Sequence, residues 1–222
     1  MANKNGGKPS DRRAGKRRDR NQRVGTRVPE LGYYLIVTDT DETEKNYFDG
    51  LRDSIPTELK DRLVIKVEKA KTVELVERAL ELTNKEPQYR IPWIVFDRDQ
   101  VKDFDDIIRT AEKNGVGAGW SNPCFEIWMY AYFGEMPVIG ESYICCDRFA
   151  EKFEKVTGQR YLKKDKDIYR KLVQHGEEGK AIQIAERCYK KCVDDGKERP
   201  SEMWPACMVQ RLVEEIQEKV QS

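Results

Sequence analysis

Apolar residues in this chain fall into short runs separated by amphipathic stretches. Tyr33-Tyr34-Leu35-Ile36-Val37, Leu63-Val64-Ile65-Lys66-Val67 and Trp93-Ile94-Val95-Phe96 are each too short for a helix and are bounded by polar turns. They predict strands, and near-continuous apolar character predicts burial on both faces, as in a parallel sheet. Between them, residues 43–53 carry Tyr47, Phe48 and Leu51 at helical spacing, with Asp41 or Thr43 placed to cap the helix. Thr72 is placed to cap a second helix, which runs to about Leu82. Phe104, Ile107, Ile108 and Ala111 mark a third, ending at Asn114-Gly115. Residues 116–120 read as a fourth strand despite their glycines. Strand–helix alternation of this kind predicts right-handed crossovers in one parallel sheet.

Beyond residue 121 the pattern becomes helical. Residues 123–133 are apolar and aromatic, and further helical periods fall near 142–156, 165–174, 178–193 and 204–220. The fold class expected is α/β: a Rossmann-like parallel sheet of about four strands over residues 31–134, with a C-terminal helical extension over 135–222. Phe125, Trp128 and Phe133 are assigned to the core rather than to a base-stacking platform. There are no internal repeats. No GxGxxG follows a strand and no GxxxxGK[ST] occurs, so dinucleotide and P-loop chemistries are excluded.

The chemistry sits at the ends of two strands. The first runs into Thr38-Asp39-Thr40-Asp41-Glu42-Thr43-Glu44 and the third into Asp97-Arg98-Asp99. In open α/β sheets ligands bind beyond the carboxyl ends of the strands. Residues at i and i+2 of an extended segment share a face, so each end presents two carboxylates, and they converge if the two strands are neighbours. An all-oxygen donor set suits Mg²⁺ or Mn²⁺. Asp39, Asp41, Asp97 and Asp99 are the expected ligands, and Glu44 is a further ligand or a general base. The competing reading is that these residues only form turns and helix caps. Ser121 or Asn122 is read as the cap of the next helix, with Pro123 at its first position. Glu126 then either completes that cap or faces the acidic site, as an extra metal ligand or to orient a basic group.

Charge adds a second feature. The 222 residues carry net +1, with 36% charged and 38% apolar positions. Residues 1–28 hold ten Lys/Arg against two Asp, a net of +8, which leaves −7 on the rest. Such an arm, 1–30, is expected to be disordered when alone. Arg12, Arg13, Lys16, Arg17, Arg18 and Arg20 suit nucleic-acid phosphates; a solubilising tail or a protein-docking segment is the other reading. Lys163-Lys164 and Arg170-Lys171 read as solvated faces, with phosphate contact the lesser alternative. No apolar stretch is long enough to span a membrane and no secretory h-region follows the arm, so a cytoplasmic location is expected. The six cysteines are expected reduced. No pair of CxxC knuckles exists, which gives little support to a structural zinc site. His175 is the only histidine and stands in a polar stretch, against triad chemistry.

Three segments, in order, resemble a known family. Ile36-Val37-Thr38-Asp39-Thr40-Asp41-Glu42-Thr43-Glu44-Lys45-Asn46-Tyr47-Phe48 is similar to I-V-x-E-G-x-x-T-E-x-x-Y-F of the RloB-like family. Phe96-Asp97-Arg98-Asp99 matches its F-D-x-D, and Ser121-Asn122-Pro123-Cys124-Phe125-Glu126-Ile127-Trp128 its S-N-P-C-F-E-x-W. The resemblance runs from about residue 12 to the C-terminus. It implies a Toprim-type domain related to the AbiLii abortive-infection proteins. By resemblance the activity is an Mg²⁺-dependent nuclease acting on DNA or RNA in prokaryotic antiphage defence. Asp39, Asp97, Asp99 and Glu44 would be catalytic, and an AAA-type ATPase a partner. Two positions depart: Asp39 replaces the Toprim glutamate and Thr40 the following glycine. The shorter side chain retracts the carboxylate by roughly 1.5 Å, one carbon–carbon bond. The alternative implied is a non-catalytic metal- or nucleic-acid-binding regulatory subunit of a defence complex.

Overall fold

The structure, a computed structural model, describes residues 29–85, 90–99 and 101–221. Its strands are β1 (Gly32–Thr38), β2 (Leu63–Lys69), β3 (Arg90–Asp97), β4 (Gly117–Asn122) and β5 (Ala206–Cys207). They form one sheet in the order β2-β1-β3-β4-β5. The first four are parallel and β5 is antiparallel to β4. The chain passes from β1 to β2 on one side and returns to β3 on the other. The gap beyond β1 and β3 is therefore the switch point at which this class of sheet binds ligands. Helices α1 (Thr43–Ser54), α2 (Leu75–Lys85) and α3 (Phe104–Lys113) are the crossovers. Then follow α4 (Glu126–Ala131), α5 (Ser142–Thr157), α6 (Ile168–His175), α7 (Glu178–Asp194) and α8 (Val209–Gln221).

Period-two alternation in β1 splits the core into two layers. Tyr34 and Ile36 join α1 and the apolar faces of α4 to α8 on one side of the sheet. Leu35 and Val37 join α2 and α3 on the other. The helical region beyond residue 135 thus shares its core with the sheet. Tyr47 is the hub of the first layer, edge-on to Phe48, Phe125, Trp128, Tyr132 and Tyr169 at centroid distances of 5.1–6.4 Å. Full burial of each such ring contributes roughly 1.5–3 kcal/mol. Phe125 and Trp128 are core residues, as expected. In β4, a Cβ at Gly117 would collide with the Trp93 ring lying over it, which explains a glycine inside a strand.

Several expectations are corrected. The fourth strand runs on through Asn122, and the aromatic helix is shorter than 123–133, starting at Glu126. Ser121 and Asn122 do not cap it. They pair with Cys207 and Ala206, and the Asn122 amide donates to the carbonyls of Pro200 and Ser201 at 3.0 and 3.2 Å. The pattern over 204–220 is helical only from Val209, because the preceding residues extend along the β4 edge, where the Met208 amide donates to Trp120. The second helix begins after a 3-10 turn over Thr72–Glu74, and α1 starts behind Glu42 with no side-chain cap. Among the described residues no helix is long and apolar enough to cross a membrane.

Candidate active site

A pocket of about 540 Å³ opens at the carboxyl edge of β1 and β3. Asp39 and Thr40 reach it from the end of β1, Glu44 from the first turn of α1, and Asp97 and Asp99 from the end of β3. Thr72 and Glu126 complete the polar wall, and Lys163 stands at its rim. In all, seven carboxylates and two lysines line the space. That balance favours a cation over an anion.

The backbone after β3 is held in place. The Arg98 amide donates to the Ser121 carbonyl at 2.8 Å and the Asp99 amide to the Pro123 carbonyl at 3.1 Å. The Ser121-Asn122-Pro123 segment thus prolongs the ladder and fixes both aspartates. Arg98 is not among the residues that line the pocket: its guanidinium lies over Phe104 and donates to the Asp99 and Val101 carbonyls. The Glu44 carboxylate accepts a hydrogen bond from the Thr40 hydroxyl. The Thr72 hydroxyl donates to Asp39 Oδ2 at 3.4 Å, while Asp39 Oδ1 is buried and has no hydrogen-bond partner.

Burial and crowding raise these acids. The Asp39 carboxyl is pushed up to about 6, mainly by burial, with Asp99 adding to it and Thr72 opposing. Glu44 is raised to about 7 by burial, then by Asp39 and Glu126, against the Thr40 hydrogen bond. Asp97 is raised well above the carboxylate range by burial, then by Glu44, Asp39, Glu126 and Asp99. One unpartnered oxygen, a set of hard oxygen donors and mutual repulsion together fit a divalent cation such as Mg²⁺ or Mn²⁺. No three of the pocket carboxylates stand within 4.8 Å of one another; the trio that does, among the described residues, is Cys124, Glu126 and Cys146. Mg²⁺ ordinarily keeps several waters and takes one or two carboxylates directly, so wider spacing is compatible with it.

Other predicted residues are placed differently. Asp41 is exposed, outside the pocket, and paired with Lys69 at 2.5 Å. Glu126 is buried; it accepts from the Tyr161 hydroxyl at 2.8 Å and faces Lys163 at 3.9 Å. The start of α4 carries no side-chain cap, so of its two readings Glu126 takes the one that faces the site. Arg12, Arg13, Lys16, Arg17, Arg18 and Arg20 lie outside the described residues. Tyr161 and Lys163, between α5 and α6, have no counterpart among the expected site residues. Thr43 ties that loop to α1: its hydroxyl lies 3.2 Å from that of Tyr161 and donates to the Lys163 carbonyl. Glu126 raises the Lys163 ammonium above its usual value.

No curated protein and no solved structure matches the chain. The family model described as RloB-like protein matches residues 34–216, which take in both strand-end motifs, the Ser-Asn-Pro-Cys-Phe-Glu segment and the Tyr161–Lys163 loop. A match over that much of the chain, with the pocket inside it, places this protein in the RloB-like family.

Proposed function

We propose that this protein is a Toprim-type, Mg²⁺- or Mn²⁺-dependent nuclease of a prokaryotic antiphage, abortive-infection system, working with an AAA-type ATPase. The observation that carries the reading is the switch-point pocket, where Asp39, Asp97 and Asp99 meet with a buried, unpartnered Asp39 oxygen. The defence role and the ATPase partner rest on the resemblance to the family. Asp39, Asp97 and Asp99 would hold the cation, which supplies charge neutralisation at a phosphate and a more acidic bound water. Glu44, raised to about 7 and steadied by Thr40, exchanges a proton near neutral pH, as a general acid or base requires. Lys163 offers its ammonium to phosphate at the rim, and the arm of net +8 adds phosphate contacts.

A second reading, a cation-binding regulatory subunit without catalysis, draws support from Asp39 in place of the longer glutamate and from the wide carboxylate spacing. One experiment separates the two. Purified protein, alone and with its partner ATPase, is incubated with DNA and with RNA in Mg²⁺, Mn²⁺ or chelator. The nuclease reading expects divalent-dependent cleavage that is lost in Asp97→Ala/Asp99→Ala at unchanged fold. Equal cleavage by wild type and double variant, or none in any arm, rejects it.

A further inference from the structure

Next to Glu126, and not among the residues that line the acidic pocket, two thiols face each other. Cys124 lies just ahead of α4, and Cys146 lies in the first turns of α5. Their sulfurs are 3.8 Å apart. With a Glu126 carboxylate oxygen they form a trio of donors all within 4.8 Å of one another. We infer that Cys124, Cys146 and Glu126 form a second cation site, for a thiophilic divalent ion such as Zn²⁺.

The spacing supports this. A tetrahedral zinc with Zn–S bonds of about 2.3 Å holds two thiolate sulfurs about 3.8 Å apart. The two segments are also pinned without the ion: the Ser142 hydroxyl donates to the Pro123 carbonyl at 3.1 Å, and Cys124 Sγ lies 3.8 Å from the Ser142 carbonyl. The donors are therefore brought to ligand spacing by contacts that do not depend on an ion. Cys145, fully buried in the aromatic core, hydrogen-bonds with Cys124 but stands outside the trio, Cys207 lies against Gln210, and Cys192 neighbours Lys197.

Donor chemistry separates the two sites. The pocket offers oxygen alone, which suits Mg²⁺, whereas paired sulfurs prefer a softer ion and are poor ligands for Mg²⁺. Binding displaces the two thiol protons to solvent. Three protein donors leave one tetrahedral position, and Cys146 is partly exposed, so a water can complete the shell. Glu126 belongs to both sets of donors: an ion held by the two sulfurs engages the same carboxylate that lines the pocket and that Tyr161 and Lys163 hold. The inference is independent of the nuclease reading.

The test uses full-length protein, reduced, stripped with chelator and returned to metal-free buffer. Titration with Co²⁺ should give thiolate-to-cobalt charge-transfer absorption and tetrahedral visible bands, saturating at one ion per chain. Zn²⁺ should bleach them and excess Mg²⁺ should not. Cys124→Ser and Cys146→Ser should each weaken binding at least tenfold, and Glu126→Gln by a smaller factor. Cys188→Ser should match wild type. A parallel measurement avoids variants: Zn²⁺ should protect Cys124 and Cys146 of the wild type from alkylation, read by peptide mass. Co²⁺ spectra without charge-transfer bands, or equal alkylation of both cysteines with and without Zn²⁺, would overturn the site.

Discussion

The ends of β1 and β3 are spelled alike, Asp39-Thr40-Asp41 and Asp97-Arg98-Asp99, yet they fold differently. After β3, amide donation from Arg98 and Asp99 to the β4 end keeps the chain along the ladder, and both aspartates line the pocket. After β1, the last ladder bond joins Ala70 to Thr38. The chain then bends, with the Thr38 hydroxyl donating to the Thr40 carbonyl at 2.9 Å. Of the two aspartates only Asp39 stays in the pocket, and Asp41 swings out to Lys69. Shared orientation at i and i+2 is a property of extended backbone. It lasts as far as a neighbour supplies hydrogen bonds and no further.

The contrast is broken most forcefully at its two outer aspartates. Asp97→Asn should lower divalent-dependent cleavage by at least about 10- to 100-fold, the loss that even an outer-shell partner of a metal ligand gives. Asp41→Asn should change it less than about twofold. Initial rates at saturating Mg²⁺ decide, with Mn²⁺ affinity by electron paramagnetic resonance as a second readout. Equal losses in the two variants would sink the distinction.

A middle-sized effect concerns pH. Asp39 at about 6 and Glu44 at about 7 lie above ordinary carboxylate values, so the folded chain holds protons that the unfolded chain has released. Their contribution to ion-free stability is full below about pH 4 and is lost as pH rises through about 6 to 7. A carboxyl that the fold holds one pH unit above its unfolded value costs ~1.4 kcal/mol once it ionises, so the pair costs the ion-free fold a few kcal/mol at pH 8. At about 2–4 °C per kcal/mol for a chain of this size, chelated protein should melt several degrees lower at pH 8 than at pH 5. Asp39→Asn/Glu44→Gln should flatten that slope, and added Mg²⁺ should reduce it. An unchanged slope in the double variant would refute the burial argument.

The smallest effect is at the outward pair. Asp41 and Lys69 are about half exposed, and such ion pairs contribute about 0–1 kcal/mol. Lys69→Ala should therefore move the melting temperature by no more than about 2–4 °C and leave Mn²⁺ affinity as in wild type. A Mn²⁺ affinity that shifts with Lys69 would bring Asp41 back into the site.

The sequence made the sheet legible because its strands are apolar on both parities, and it made Asp39, Glu44, Asp97 and Asp99 legible because they follow those strands. Asp41 was misplaced because its direction depends on where pairing stops, and that is settled by Ala70, just past the end of β2. Residues 206–207 are too few to show a period. The cap assigned to Ser121 and Asn122 failed because both were claimed by partners some eighty residues away. Tyr161 and Lys163 sit in a polar loop with no local signal, and only the closure of α5 and α6 brings them to the pocket. The cysteine pair was hidden for a similar reason: the adjacency of Cys145 and Cys146 is conspicuous, while the contact of Cys146 is with Cys124.

The two-residue strand that closes the sheet has a consequence for how the protein is made. Ser121 and Asn122 wait for Cys207 and Ala206, which leave the ribosome more than eighty residues later. At roughly 5–20 residues per second, that delay is about 4–16 s. For that time the nascent chain carries its parallel strands with the outer rim of β4 uncovered, and an uncovered rim is a template for strands of other chains. Translation speed through residues 123–206 is therefore a physical variable for this fold, and its safest synthesis is one that does not pause there.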